Sequence, residues 1–489
     1  MRSSPSHRTA LTGAAALLGL AAALYAPGCA TNPATGQRQL SLISESQEIA
    51  LGKQSDAEIV ASLGVYEDAE LAAYVERVGQ SLAAVSERPD LDWSFKVIDD
   101  PTVNAFALPG GYIYVTRGIL AHLSSEAELA SVLGHEIGHV TARHSVNRIS
   151  KTQLASLGLG IGMIVSEELR QFGDLAQVGL GLLFLKYSRD DERQADELGL
   201  RYIVQGEYDA REMPEVFETL QRLSEEGGSG RVPGYLSTHP DPGARAGTAT
   251  SAVAALGRDF SSAKVARAPY LRQLDGIVFG VDPREGFFRG DRYYHPQLGF
   301  QMAVPESWPR QNLKQSVEAM APDKDALMAL TLARGSAQEA ARALADSEGI
   351  TAGRIGTGRT NGLPSAGFEF QASDGRGSYR GVVRFVEHGE RTFRLLGYTL
   401  ADRWSRHDDA LRGFAGSFSR LTDRDILAVQ PARLELVEIP GSMGVSELQR
   451  RYPSNADDQT IAVINHLTGE EELPAGTLAK RIVGGPPRD

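Results

Sequence analysis

At 489 residues, 42% of them hydrophobic, the chain is too long for one ordinary core, and two to four domains are expected. The formal net charge of −12 argues against nucleic acid as a partner, because a phosphate backbone selects basic faces. Helix-period and strand-period stretches both occur, which points to a multidomain α+β protein.

Residues 1 to 28 read as an export signal. Arg2 and Arg8 form the charged start, and Leu11 to Tyr25 make an Ala/Leu-rich run too short for a comfortable membrane span. The run ends at Ala26-Pro27-Gly28-Cys29, and Cys29 is the only cysteine. This site resembles a bacterial lipobox, with Gly28 in place and Ala26 where leucine is usual. The resemblance implies lipidation of Cys29, since an unpaired thiol in an exported protein otherwise needs explaining. Acyl chains on one cysteine would anchor the chain to a membrane. By resemblance to Gram-negative sorting signals, Ala30 in place of aspartate implies the periplasmic side of the outer membrane.

Residues 29 to 40 are polar and turn-rich, as a tether would be. Ser44 and Gln47 open a helix, and Asp68 opens a second with Leu71, Val75, Val78 and Leu82 at helical spacing. Trp93, Phe95 and Val97 alternate as in a strand. Asn104 to Thr116 holds a turn at Pro109-Gly110-Gly111 and then a strand. That strand could pair with an extended peptide or lie in the core.

The next helix carries His135-Glu136-Ile137-Gly138-His139. At about 3.6 residues per turn, His135 and His139 project from one face and can share a metal, with Glu136 turned about 100° away. Two neutral imidazoles holding zinc, beside a carboxylate that takes a proton from water, is the arrangement of a zinc hydrolase. Ser125 and Glu128 form a capping box, and Leu129, Val132, Leu133, Ile137 and Val140 make an apolar stripe that buries one side while the other faces a cleft. Ala142 and Ser145 stand where the metzincin pattern needs glycine and histidine, so that class is excluded. His144 points away from the pair, as a surface group or one supporting a ligand. A third, carboxylate ligand is expected from a later helix.

Two Gly-rich apolar stretches follow, Leu154 to Val165 and Leu175 to Leu185, each too short to span a membrane and expected as helices flanking the cleft or in the core. After them, Glu192 and Asp196 sit at i and i+4 on a helix that runs to Gly206. Such a charged run is usually a solvated face. With the histidine motif upstream, Glu192 supplies the anionic ligand and Asp196 can accept the outer N–H of a zinc-bound imidazole.

His135-Glu-Ile-Gly-His139, then Ser188-Arg-Asp-Asp-Glu192-Arg-Gln-Ala-Asp196, then Ser237-Thr-His239-Pro240 resemble the zinc peptidase family of HtpX, BepA and the CAAX prenyl proteases. Asn104-Ala-Phe-Ala-Leu-Pro-Gly-Gly is similar to its periplasmic branch. The resemblance covers roughly residues 30 to 255, without that family's integral-membrane segments or the tetratricopeptide repeats of BepA. It implies His135, His139 and Glu192 as zinc ligands, Glu136 as general base and Asp196 as an orienting group. It also implies that His239 and Arg245 approach the zinc from beyond Ser224 to Gly230, a segment suited to a lid. His239 could fill the fourth zinc position at rest or donate to a developing oxyanion. Arg245 could stabilise the same charge or hold the loop.

From Ala268 the texture changes to strands such as Gly299 to Val304, Ala326 to Leu332, Gly367 to Gln371, Ser378 to Phe385 and Thr392 to Tyr398. Helices are expected at Ala337 to Ser347 and Ser405 to Phe418. No clustered His, Cys or carboxylate motif appears there, so binding or positioning is expected of it. The order β-α-α-β from Arg433 to Val483 resembles a LysM module, which implies peptidoglycan as a partner, although Pro440-Gly-Ser-Met-Gly replaces the usual Gly-Asp-Thr.

The sequence therefore predicts a mainly helical, gluzincin-type zincin domain with a small sheet over 41–262, an α+β accessory domain over 268–422 and a βααβ module over 430–484. The expected activity is that of a zinc-dependent endopeptidase of the bacterial cell envelope with one Zn2+ per chain, and the family resemblance implies misfolded or stalled envelope proteins as substrates. The rival expectation is an envelope chaperone or peptidoglycan-bound scaffold with a latent metal site.

Overall fold

The structure, a computed structural model, describes residues 29–158, 186–226, 235, 238–374 and 377–485. Residues 1–28, read as an export signal, most of the two Gly-rich apolar stretches and most of the 224–230 segment, read as a lid, lie outside the described residues. The molecule mixes helices and sheets and divides into two compact units. The first takes in the chain as far as Ala61, then Val65–Leu274 and Ala462–Glu470; the second takes in Ser62–Gly64, Asp275–Ile461 and Glu471–Asp489.

In the first unit, β1 (Cys29–Thr31) and β2 (Arg38–Leu40) form a hairpin. The segment read as a tether is therefore ordered, because Asn32 closes the turn: its carbonyl accepts Gly36 N–H at 2.8 Å and its side chain accepts Ala34 N–H at 2.9 Å. Helix α1 (Glu45–Leu63) opens as expected, with Ser44 N–H donating to Gln47 Oε1 at 2.9 Å. Helix α2 (Ala69–Ala83) is capped by Asp68, which accepts Leu71 N–H at 3.0 Å.

Strands β3 (Ser94–Ile98), β4 (Ala105–Leu108) and β5 (Tyr112–Thr116) make a sheet in the order β3-β5-β4, with β3 parallel and β4 antiparallel to β5. The β4–β5 turn uses Gly110 at φ +80° and Gly111 at φ +99°, conformations that side chains resist. Because β5 is the middle strand, both its edges are taken and it cannot add a peptide strand. The core reading is the one the sheet order supports.

The short helix α3 (Arg117–His122) leads to α4 (Glu126–Thr141), which carries both motif histidines. All sixteen residues of α4 are buried, so the expectation of one packed and one open side is corrected: other segments cover the histidine face as well. The capping box is also only half formed. Ser125 Oγ accepts Glu128 N–H at 3.1 Å, but the Glu128 carboxylate takes Ser124 N–H at 2.7 Å in place of Ser125. After α5 (His144–Gly158), the described chain resumes and α6 (Arg189–Gln205) packs along α4. Its capping box is complete, with Ser188 and Asp191 bonding reciprocally. Helices α7 (Glu212–Glu226), α8 (Pro242–Ala255) and α9 (Arg267–Gln273) complete the unit. Within it, His466 Nε2 lies 2.8 Å from the His122 carbonyl oxygen. Among the described residues no helix is long and apolar enough to cross a membrane.

The second unit is built on a large antiparallel sheet. Its long strands are β6 (Ala326–Ala333), β7 (Leu363–Asp374), β8 (Gly377–His388) and β9 (Arg391–Leu400), in the order β7-β8-β9-β6. Helix α10 (Ala337–Ala345) packs on Phe368, Phe370 and Phe385, and α11 (Trp404–Gly416) joins a second core with Met328, Leu395 and Phe300. Strand alternation of buried and half-buried residues in β6 explains the two cores, since successive side chains leave opposite faces. At the C-terminal end, β10 (Ala432–Glu438) pairs antiparallel with β11 (Leu478–Gly484). Between them in sequence come α12 (Val445–Arg451) and α13 (Asp458–Ile464).

Candidate metal centre

Helix α4 presents His135 and His139 one turn apart, and α6 brings Glu192 to them. His135 Nε2 and His139 Nε2 are 3.1 Å apart, and Glu192 Oε2 and Oε1 lie 3.6 and 3.5 Å from them respectively. His239 joins this group: its Nδ1 is 3.2 Å from His135 Nε2 and 2.9 Å from Glu192 Oε1. All four residues are buried, and among the described residues they form a cluster able to hold a metal ion.

Two features fit a metal to this cluster. Four donors at about 2.0–2.1 Å around tetrahedral zinc stand about 3.3 Å from one another, close to the separations seen here. The proton positions agree. Asp196 Oδ1 accepts His135 Nδ1–H at 2.9 Å, which leaves His135 Nε2 with a bare lone pair facing the other donors. Burial, and then the Arg245 charge, push the His135 ring down to about 3, so it stays neutral as a ligand must. Burial alone would raise the Glu192 carboxyl, but His239 and the two motif histidines hold it well below the usual carboxylate range.

Glu136 lies beside the cluster with both carboxylate oxygens buried and without a hydrogen-bond partner among the described residues. His239 Nε2 lies 3.6 Å from Glu136 Oε1. Burial pushes the Glu136 carboxyl up to about 7. An anionic oxygen left bare in a dry site costs free energy unless a ligand, water or cation meets it.

Around this core stand groups that hold it. Arg245 on α8 donates from Nε and a terminal nitrogen to Asp196 at 2.9 and 2.6 Å, and its other terminal nitrogen is 3.1 Å from Glu192 Oε2. This forked pairing brings Arg245 to two carboxylates of α6, Asp196 and Glu192. Burial alone would raise Asp196, but Arg245 holds it down to about 2. His144 does not lie at the surface: it is buried with Nδ1 2.9 Å from His139 Nδ1. Two aromatic rings escaped the sequence reading. Tyr187 stacks on His139 at 3.9 Å, and Tyr235 stacks on His239 at 4.4 Å. Tyr235 could have been found as the residue one helical turn before His239, whose N–H bonds to its carbonyl at 2.8 Å. Cys29 begins β1.

The helix pair and its donors define a class: a buried metal centre built from a His-Glu-x-x-His helix and a glutamate from a second helix. Residues 69–253 match Peptidase family M48 and form an M48 peptidase domain, a family whose metal is zinc. The chain is 39% identical over 168 residues to the mitochondrial metalloendopeptidase OMA1 of Schizosaccharomyces pombe, covering 34% of this chain and 48% of that protein. It is 30% identical over 210 residues to the putative beta-barrel assembly-enhancing protease of Vibrio cholerae, covering 41% and 43%. To the beta-barrel assembly-enhancing protease of Escherichia coli K12 it is 28% identical over 242 residues, covering 47% and 49%. The chain thus spans just under half the length of these relatives.

Proposed function

We propose that this chain is a zinc-dependent endopeptidase of the bacterial cell envelope. The observation that carries the reading is Glu136, a buried carboxylate with no hydrogen-bond partner among the described residues, standing beside a four-donor metal cluster. Zinc, when bound, supplies a Lewis acid that polarises a peptide carbonyl and acidifies water. Glu136 takes the proton of the attacking water on a carboxylate oxygen and returns it to the departing amine nitrogen. Asp196 retains the Nδ1 proton of His135, and Arg245 keeps Asp196 and Glu192 aligned.

His239 is read as the resting occupant of the fourth donor position, because its Nδ1 lies within 3.2 Å of His135 Nε2. Substrate entry then requires it to withdraw. The names of the bacterial relatives, together with the lipobox-like Ala26-Pro27-Gly28-Cys29, support a lipid-anchored protein on the periplasmic side of the outer membrane. Protein or peptide substrates, misfolded or stalled envelope proteins among them, follow from the same resemblance. Peptidoglycan binding by residues 430–484 rests on the βααβ order alone.

The second reading is an envelope chaperone or peptidoglycan-bound scaffold with a latent metal site, favoured by the closed donor set that His239 completes. Purified protein incubated with casein separates the two. Cleavage that a chelator abolishes and zinc restores supports the peptidase. A zinc-loaded protein that cleaves neither casein nor unfolded envelope proteins supports the scaffold.

A further inference from the structure

A row of side chains runs outward from His139 that the peptidase reading does not use. His139 Nδ1 and His144 Nδ1 are 2.9 Å apart, His144 Nε2 is 2.9 Å from Gln194 Oε1, and Asn32 Nδ2 donates to the same Gln194 oxygen at 3.4 Å. Asn32 Nδ2 also lies 3.3 Å from the Ala142 carbonyl oxygen at the end of α4 and 3.3 Å from Gln39 Oε1, so its two hydrogens are shared among three acceptors. Asn32, His139 and His144 are all buried.

Proton positions along this row follow from its outer end. An amide oxygen can only accept, so the His144 hydrogen is on Nε2 and its Nδ1 is a bare lone pair. That lone pair requires His139 to carry its hydrogen on Nδ1. His139 Nε2 is then free of hydrogen where it faces His135 Nε2, 3.1 Å away. If Gln194 turned its NH2 toward His144, the order would reverse, and His139 would aim an N–H at the place where a metal must sit. His135 has its proton fixed by a carboxylate, Asp196; His139 has only a neutral histidine, whose own proton is decided beyond it by Gln194 Oε1 and, 3.8 Å from His144 Nε2, by Asp191 Oδ1.

We infer that His144 and Gln194 are positioning residues that fix the tautomer of His139, with Asn32 of the β1–β2 hairpin bracing their outer end. The inference rests on the zinc reading above. It makes the N-terminal hairpin part of the support of the metal site, since Asn32 bonds both the ligand helix α6 and the end of α4. Groups that orient a metal-binding histidine typically change metal affinity by roughly 10–100-fold when removed.

The test uses the full chain loaded with zinc and labelled with 15N at histidine. Long-range 15N–1H correlation is expected to find the His144 hydrogen on Nε2 and the His139 hydrogen on Nδ1; a His144 hydrogen on Nδ1 overturns the inference even if no variant folds. In parallel, zinc dissociation constants are read by competition with a chromophoric chelator. Gln194→Leu is expected to weaken zinc binding by roughly tenfold or more. Gln194→Glu, which still accepts from His144, should stay close to wild type, and Asn32→Ala should fall between. A wild type that binds zinc, with Gln194→Leu binding it equally well, overturns this inference alone. A wild type that binds no zinc overturns the zinc reading and this inference with it.

Discussion

Gly138 meets Ala195 across the α4–α6 contact so closely that a Cβ on Gly138 would lie 2.9 Å from the Ala195 carbonyl oxygen. Gly199 repeats the relation one turn away, where a Cβ would stand 3.0 Å from His135 N. These glycines let two backbones approach until His135, His139 and Glu192 reach one another. Gly138→Ala is therefore expected to force the helices apart, costing about 1–3 kcal/mol as an overpacked core substitution does. Zinc affinity should fall in the same variant. Thermal melts with and without zinc measure both, and an unchanged affinity would contradict the link between helix spacing and donor geometry.

Asp196 holds His135 through one oxygen and Arg245 through two. Asp196→Ala removes the acceptor for His135 Nδ1–H and leaves Arg245 buried with one partner fewer. Zinc binding is expected to weaken by roughly 10–100-fold, read by chelator competition. Affinity equal to wild type would show that His135 needs no outer partner.

At the other end of α4, Glu48 on α1 accepts Arg88 at 2.7 Å and Arg143 at 2.8 Å, all three side chains being buried. Arg143 follows the helix in a left-handed conformation, φ 57°, and Arg88 also donates to the Val140 carbonyl at 3.1 Å. Removing Glu48 takes the paired carboxylate from buried Arg143 and leaves buried Arg88 only the more exposed Glu45, 2.9 Å away. Glu48→Ala should lose about 3–5 kcal/mol in a denaturant titration. A loss well under 1 kcal/mol would mean that solvent reaches the arginines.

Glu126 in the first turn of α4 accepts Tyr74 Oη at 2.6 Å, Tyr208 Oη at 2.8 Å and the Lys264 ammonium. Burial alone would raise its pKa, but the Lys264 and tyrosine bonds lower it below 4.5. A carboxylate depressed in the folded state adds stability above its unfolded pKa and loses it as pH falls through the folded one. The stability gap between wild type and Glu126→Gln should therefore be full near neutral pH and shrink as pH drops below 4.5. A gap that stays constant to strongly acid pH would contradict the pairing.

Much of this site was legible because its signals are local. The i, i+4 spacing of His135 and His139, and of Glu192 and Asp196, names a helix face whatever the rest of the chain does. Asp68 and Ser188 mark helix starts through bonds three residues long. The remainder depends on tertiary approach. Nothing near Tyr187 says that its ring will lie on His139, and nothing near Asn32 says that it will reach Gln194, 162 residues away. The 29–40 segment reads as a linker because its polar composition hides an Asn32-centred turn. The α4 apolar stripe suggests one buried side, because a single helix cannot report that His239, Tyr187 and Tyr235 close over the other.

The most direct test of the account is Glu136→Gln, which preserves shape while removing the carboxylate proposed as the base. Metal content and casein cleavage are measured on the same preparation of wild type and variant. The account predicts one zinc per chain in both proteins and cleavage in the wild type alone. A variant that cleaves casein at the wild-type rate would contradict it.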